Sequence, residues 1–325
     1  ADGTVAVGQK ALTSLTSGSG NVAVGMEALD ANATSDFNTA VGHQALSAVN
    51  SSGDGRNTAV GWNAGLSITS GISNVLIGAE AGDGFDAESD NIAIGFQAAS
   101  GAINGADKCI AIGTAALAGA ATIDGTIAIG YQALNALTSG AGNVAVGFEA
   151  LKGHTTGANN IAIGKSAMDG TANDSAGLRN IGIGTDALGG TWASANCDDN
   201  IAIGYQSLDA AMNDAYQNTA IGSYSLGGII GGFENTAVGF NSGKGLTEGN
   251  YNVAIGKSAL LLHTSGSRNI AIGAYAMDDT GADDCPTSSD NIAIGYAALG
   301  GTWDTHDSNY NVGIGNYVMD AAMDG

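Results

Sequence analysis

A five-residue motif recurs through the whole chain and constrains its fold more than any other feature. Asn91-Ile92-Ala93-Ile94-Gly95 is one copy, and Asn200-Ile201-Ala202-Ile203-Gly204 is another. The 325 residues hold eighteen copies, whose glycines stand at positions 8, 25, 42, 61, 78, 95, 113, 130, 147, 164, 184, 204, 222, 239, 256, 273, 295 and 315. The commonest step is 17 residues, and all exceptions are longer. Such a period is typical of a solenoid, in which each copy forms one coil. We therefore predict a single β-solenoid domain of about eighteen coils over residues 1–325.

The residues before the glycine have the pattern of a short strand. With the glycine as position 0, positions −3 and −1 are β-branched in all eighteen copies, and position −2 is alanine in fifteen. Side chains two residues apart share one face of a strand, and β-branched residues suit that surface. Because both faces are apolar, we expect one to line the coil and the other to need a second layer. We expect Ile92, Ile94, Ile201 and Ile203 to be buried.

Asparagine and glycine bound this strand. Position −4 is asparagine in fifteen copies, among them Asn91 and Asn200, and Cys109 is one of the exceptions. Asparagines stacked at one coil spacing can bond to each other as a ladder. Glycine at position 0, as at Gly95 and Gly204, suits a corner with positive φ or a backbone packed too closely for a Cβ.

A second apolar stripe follows the glycine. Position +4 is leucine in eleven copies and methionine in three. Segments such as Tyr131-Gln132-Ala133-Leu134 can be interpreted as a helical turn or as a second short strand, and we favour the strand, because each coil must close a full circuit. All the length variation falls between position +4 and the next asparagine, which predicts that one edge of the solenoid carries the variable loops.

The charge balance restricts the partners. Nine Lys and Arg against 31 Asp and Glu give a net charge of −22. So acidic a surface repels nucleic acid and anionic membranes. No run of eighteen apolar residues occurs, so no membrane insertion is expected.

Few residues indicate chemistry. The acidic pairs Asp198-Asp199 and Asp283-Asp284 are weak Ca²⁺ candidates, with solvated loop charge as the alternative. No other cofactor is expected. Neither the four histidines nor the cysteines Cys109, Cys197 and Cys285 form a recurring catalytic or metal-ligand grouping, so we predict that the protein is not an enzyme.

Aromatic residues recur directly after the motif glycine. Position +1 is aromatic in seven copies: Trp62, Phe96, Tyr131, Phe148, Tyr205, Phe240 and Tyr296. In most of the other copies this position is polar or small, which predicts that it is at least half exposed. Rings on such a surface can pack in an interface or contact a ligand by stacking on sugars, and both interpretations stay open.

The repeat resembles two families of fibrous proteins. Its Asn-x-Val-Ala-Ile-Gly-like core is similar to the head repeat of trimeric autotransporter adhesins. Asn38-Thr39-Ala40-Val41-Gly42-His43-Gln44-Ala45-Leu46 resembles the Asn-Thr-Ala-Val-Gly-x-x-Ala-Leu repeats of phage tail fibres and other secreted bacterial proteins. The adhesin resemblance implies a left-handed β-roll, a side-by-side homotrimer and display outside the cell. The chain shows no heptad stalk, neck or membrane anchor, and its coil is longer than in the usual adhesin head.

Four functions follow as hypotheses. The favoured one is an extracellular structural and adhesive fibre that binds itself and a surface glycan or host receptor. A second copy placed after the first would continue the motif with a step within the internal range, so we also expect head-to-tail stacking into filaments. The alternative is a receptor-binding or shaft segment of a phage tail fibre. A β-helix polysaccharide-processing enzyme and an ice-binding protein are weaker hypotheses, because the strands lack carboxylates and an exposed threonine array.

Overall fold

The computed structural model shows an all-β parallel solenoid. It describes residues 2–101, 103, 105–119, 123–170, 177–192, 196–279, 287–302 and 308–320. Contacts between Cα atoms divide the chain into two units, Ala1–Asn159 and Asn160–Gly325. The motif continues through both units, and the single-domain interpretation stays a prediction. None of the described residues lies in a helix, and none therefore forms a helix able to cross a membrane.

The first unit contains nine strands of the repeat motif and two shorter ones. In chain order they are β1 Val5–Val7, β2 Val22–Val24, β3 Ser35–Asp36, β4 Thr39–Val41, β5 Gly53–Asp54, β6 Thr58–Val60, β7 Val75–Ile77, β8 Ile92–Ile94, β9 Ile110–Ile112, β10 Ile127–Ile129 and β11 Val144–Val146. Consecutive motif strands pair in parallel and in register, so that Ile92 lies opposite Ile110 and Ala93 opposite Ala111. Strands β3 and β5 form a small second ladder.

The second unit repeats this arrangement with nine strands. They are β12 Ile161–Ile163, β13 Ile181–Ile183, β14 Ile201–Ile203, β15 Thr219–Ile221, β16 Thr236–Val238, β17 Val253–Ile255, β18 Ile270–Ile272, β19 Ile292–Ile294 and β20 Val312–Ile314. Each pairs in parallel with the next, and Ile203 lies opposite Ile221. With one motif strand per coil, the predicted solenoid of about eighteen coils is confirmed.

The alanine face of each strand lines the interior. Ala93 and Ala202 have no exposed surface, and neither has Leu134 at position +4. The side chains at −3 and −1 point outwards instead, and Ile203 is 36% exposed. Our prediction that Ile92, Ile94, Ile201 and Ile203 are buried in the chain's own core is therefore wrong: Ile203 is exposed, and the other three are only partly covered. In fifteen of the eighteen copies the interior position on the strand is occupied by alanine, and Leu76, Gly182 and Gly313 occupy it in the other three.

The asparagine ladder predicted from position −4 is present. The Nδ2 of Asn74 donates to Oδ1 of Asn57 at 3.1 Å and to the carbonyl of Glu88 at 2.8 Å. Asn91 continues it through its backbone N–H, which donates to Oδ1 of Asn74 at 2.9 Å. In the second unit, Oδ1 of Asn200 accepts from Nδ2 of Asn218 at 3.2 Å. Where consecutive coils carry asparagine at position −4, buried amide hydrogen bonds join them as well as the strand.

The segment after the glycine is a turn, so the predicted second strand is wrong. Gln132 and Leu134 have φ of 53° and 50°, in the left-handed region, which breaks the two-residue alternation of a strand. Both still bond across coils, since Gln132 N–H donates to the carbonyl of Thr114 at 3.0 Å and Leu134 N–H to that of Ala150 at 3.0 Å. The turn directs position +4 inwards and leaves position +1 outside.

Candidate interaction surface

The outward-facing β-branched side chains form an apolar stripe on each unit. We call the side chains at positions −3 and −1 the outward stripe. At position −1, Ile77 and Ile163 are each 40% exposed and Ile203 is 36% exposed. Because the strands pair in register, these side chains line up from coil to coil within each unit. Contiguous apolar surface of this kind marks interaction sites on soluble proteins.

Exposed rings follow the corner glycines of the first unit. Trp62 and Phe96 are each 49% exposed, Phe148 is 48% exposed and Tyr131 is 43% exposed, slightly less than the half exposure predicted for position +1. The structure brings two of them together, since the rings of Tyr131 and Phe148 stack with centroids 5.1 Å apart. Trp62 and Phe96 stand on separate coils with one coil between them. We call Trp62, Phe96 and Tyr131 the aromatic row.

The rings of the second unit form clusters. Tyr205 and Phe240 both contact Tyr224 edge to face, with centroid distances of 5.3 and 6.0 Å. Tyr296 lies between Tyr275 and Tyr317 at 5.7 and 5.2 Å. The predicted rings therefore meet through partners at position +2, which the sequence analysis did not single out. A tabulation of position +2 would have found these three tyrosines.

Lysines and carboxylates surround these clusters. The Nζ atoms of Lys244 and Lys257 lie 5.0 and 5.1 Å from the ring centroids of Tyr224 and Tyr275. Gly300 lies between two carboxylates, because a Cβ there would be 3.0 Å from Asp278 Oδ1 and 3.1 Å from Asp320 Oδ1. Carboxylates and tyrosine rings on one surface attract cations.

The acidic pair Asp198-Asp199 is engaged by an arginine. Asp199 accepts two hydrogen bonds from Arg179, at 2.6 and 2.8 Å, and these lower the pKa of its carboxyl. Asp198 accepts from the backbone N–H of Leu178 at 2.8 Å and lies 3.7 Å from Arg179. An arginine therefore holds this pair, and the Ca²⁺ interpretation stays a prediction. Asp283 and Asp284 lie outside the described residues, and the described part of the chain gathers no three metal-ligating side chains.

Three aspartates at position +5 are partly buried. Burial raises the pKa of Asp83, Asp209 and Asp278 to about 6 in each case. Nearby carboxylates add to the shift, Glu80 for Asp83 and Asp186 for Asp209. Asp83 lies in the first unit, and Asp209 and Asp278 stand four coils apart in the second.

Two of the cysteines and two of the histidines are interior. Cys109 and Cys197 are buried. Cys109 occupies the asparagine position of the ladder, and its Sγ lies 3.4 Å from the carbonyl of Ile123. His154 and His263 are buried too, and burial lowers the pKa of His154. Cys285 and His306 lie outside the described residues.

The chain matches no model of a known protein family and no curated protein sequence. The resemblance to adhesin heads and tail fibres therefore stays a prediction from the motif.

Proposed function

We propose that the protein is a non-enzymatic extracellular fibre protein that adheres to surfaces and assembles side by side with copies of itself as a homotrimer. The observation that carries the proposal is the outward stripe, which presents valine and isoleucine from coil after coil in both units. A chain with a net charge of −22 is otherwise strongly polar outside, and a contiguous apolar stripe on such a protein calls for a covering partner. The number three comes from the resemblance to adhesin heads.

The stripe can be tested by placing charge on it. We expect the protein at micromolar concentration to have about three times the 31.8 kDa chain mass by light scattering. Replacing Ile163, Ile203 and Ile272 with aspartate should lower this mass, because carboxylates facing an apolar partner are desolvated. Since these side chains point outwards, the variant should keep its β-type circular dichroism.

A matched control adds the same charge elsewhere. Thr185, Ser223 and Ala274 stand at position +1 of the second unit, so their replacement with aspartate adds three negative charges outside the outward stripe. This control should keep the mass of the parent protein. If the parent protein is a monomer, or if both variants lose mass equally, the outward stripe is not the interface between chains.

End-to-end association is the second part of the proposed assembly. Every motif strand within a unit uses the same parallel, in-register ladder, so the backbone edge of a coil in one copy fits a coil in another copy. Such a contact is heterologous and does not close, and it builds filaments. Electron micrographs should show filaments that shorten when a bulky folded domain is fused to the C-terminus. Protein that never elongates at any concentration would contradict this part.

The absence of catalysis and the location outside the cell belong to the same proposal. They are supported by outward strand faces that carry Val, Ile and Thr rather than carboxylates, and by an acidic surface suited to solubility. Incubation with uronic-acid polymers should leave their chain length unchanged. Any cleavage by the purified protein would favour a β-helix enzyme instead.

A further inference from the structure

The aromatic row of the first unit alternates with small residues. Trp62, Phe96 and Tyr131 follow the glycines of every second coil, and the coils between them carry Ala79 and Thr114 at the same position. The three rings are 43–49% exposed. Phe96 therefore has a small side chain on both neighbouring coils, and Trp62 has Ala79 on one side and His43 on the other. Tyr131 has Thr114 on one side and stacks on Phe148 on the other. In the second unit the comparable rings of Tyr205 and Phe240 instead share a contact with Tyr224.

The backbone holds the row in a regular spacing. The carbonyl of Trp62 accepts a hydrogen bond from the N–H of Glu80 at 2.8 Å, and that of Phe96 accepts from Ala115 at 2.9 Å. The carbonyl of Tyr131 accepts from the N–H of Glu149 at 2.9 Å in the same way. Coils paired like strands repeat at about 4.8 Å, so rings on every second coil repeat at about 9.6 Å.

Polar planar side chains accompany the rings. Position +2 carries Asn63, Gln97 and Gln132 on the three coils of the aromatic row, and Glu80 on the coil between Trp62 and Phe96. Gln97 Nε2 donates to Glu80 Oε2 at 2.8 Å, so the side chains after Phe96 and Ala79 orient each other. Amide and carboxylate groups next to an aromatic ring offer hydrogen bonds to hydroxyl groups, while the ring offers an apolar surface.

We propose that the aromatic row is a binding site for a neutral β-1,4-linked glycan that lies along the coils. An extended β-1,4-linked chain presents the same face at every second sugar, and its disaccharide repeat has nearly the two-coil spacing of the rings. The C–H groups of a pyranose pack on an aromatic ring, and its hydroxyls bond to the side chains at position +2. The net charge of −22 disfavours an anionic glycan. The inference rests on the proposed adhesive function and names its ligand class.

Titration of the full chain with cellohexaose, together with depletion onto insoluble cellulose, tests the site. The parent protein should bind both, and replacing Trp62, Phe96 and Tyr131 with alanine should weaken cellohexaose binding at least about tenfold. Carboxymethylated cellulose, which has the same backbone with carboxylates, should bind more weakly. Maltohexaose, whose α-1,4-linked chain curls, should not bind measurably.

A matched variant separates the row from aromatic rings in general. Tyr205, Phe240 and Tyr296 are 42–47% exposed, and their replacement with alanine should leave cellohexaose binding unchanged. Replacing Trp62 and Phe96 with tyrosine should retain binding, because a ring remains at each position.

Three results would contradict the glycan site. In the first, the folded parent protein fails to bind cellohexaose, and in the second, both alanine variants lose binding equally. In the third, alanine at Trp62, Phe96 and Tyr131 changes the oligomer mass and leaves the glycan affinity unchanged. The mass measured on the same samples separates this inference from the proposed assembly. A parent protein that forms the trimer but does not bind cellohexaose contradicts only the glycan site, and a monomeric parent that binds cellohexaose contradicts only the side-by-side assembly.

Discussion

Left-handed backbone at ordinary residues is the least common local feature of this chain. Positions −5, +2 and +4 have positive φ in coil after coil, with residues as different as Lys108, Glu80 and Leu134. For a non-glycine residue this conformation costs about 1 kcal/mol or more. The cost is offset where the turn residues bond between coils and where the leucines become buried. Local preference therefore opposes these turns, and tertiary contacts impose them.

Relief of this cost should stabilise the protein. Ala115 stands at position +2 with φ of 53°, and its replacement with glycine should raise the free energy of unfolding by about 0.5–1 kcal/mol, since glycine adopts positive φ without strain. Ala111→Gly is the control, because Ala111 lies inside strand β9 and fills the interior. That substitution should destabilise. Thermal unfolding of both variants checks the pair, and destabilisation by Ala115→Gly would contradict the explanation.

The corner glycines should tolerate no side chain. Gly95 has φ of 133°, and a Cβ there would lie 2.7 Å from the carbonyl carbon of Gly113 on the next coil. Gly95→Ala should therefore destabilise by about 2–5 kcal/mol, and Gly204→Ala, 2.6 Å from the carbonyl carbon of Gly222, by a similar amount. Gly125→Ala isolates the backbone effect, because Gly125 has φ of 61° and open space around its Cβ position. It should cost only about 1 kcal/mol. If the three variants have the same denaturant midpoint, the close contact between the added Cβ and the next coil's glycine is unimportant.

At the scale of the coil, the asparagine ladder joins neighbouring coils, and Cys109 and Thr126 interrupt it in two consecutive coils. Oδ1 of Asn91 accepts from the backbone N–H of Cys109 at 2.8 Å, but the thiol replaces the amide that would extend the ladder. Buried atoms without a partner among the described residues accumulate here, namely Nδ2 of Asn91 and Oγ1 of Thr126. Unpaired buried polar groups cost stability.

Repair of the ladder should stabilise these coils. In Cys109→Asn the new Nδ2 can donate to Asn91 Oδ1 and to the carbonyl of Ile123, which Cys109 Sγ now approaches to 3.4 Å. We expect a gain of about 0.5–1.5 kcal/mol, as for other added buried hydrogen bonds. Cys109→Ala is the control and should give no gain, because alanine cannot donate. A thermal midpoint of the asparagine variant at or below that of the alanine variant would count against the ladder.

At the scale of the whole molecule, the acidic charge adds a pH dependence to stability. Asp83 and Asp209 have a pKa raised to about 6 by burial, above the ordinary aspartate value. Between that ordinary value and about pH 6 the folded state binds more protons than the unfolded state, so stability falls as the pH rises through this window. Asp83→Asn and Asp209→Asn should therefore raise the melting temperature at pH 7 and have little effect near pH 4.

Asp290 is the control of opposite sign. Its hydrogen bond from Arg268 lowers the pKa of its carboxyl, so its contribution to stability is present at pH 7 and is lost as the pH falls through its folded pKa. Asp290→Asn should lower the melting temperature at pH 7 and have little effect at low pH. If all three variants respond to pH in the same direction, net charge alone explains the dependence.

The sequence by itself determined the solenoid, the strand in each coil, the asparagine ladder, the glycine corners and the interior leucines. Each depends on a residue type repeated at a fixed step, such as Asn74 or Leu134, and stacking in register turns that repetition into contacts. The exposed rings at position +1 were predictable for the same reason. For these features, the residue type and its spacing along the chain were sufficient for the prediction.

Only the tertiary structure decided which strand face lies inside. Ile203 and Ala202 are both apolar, so the alternation has no preferred side, and the limited space within a coil selected alanine. It also decided the turns, since Gln132 and Leu134 carry no local signal for left-handed backbone and adopt it because of bonds to neighbouring coils. Position +1 alone likewise could not predict that the rings of Tyr205 and Phe240 both contact Tyr224. Such contacts between coils depend on the direction in which each turn points its side chains.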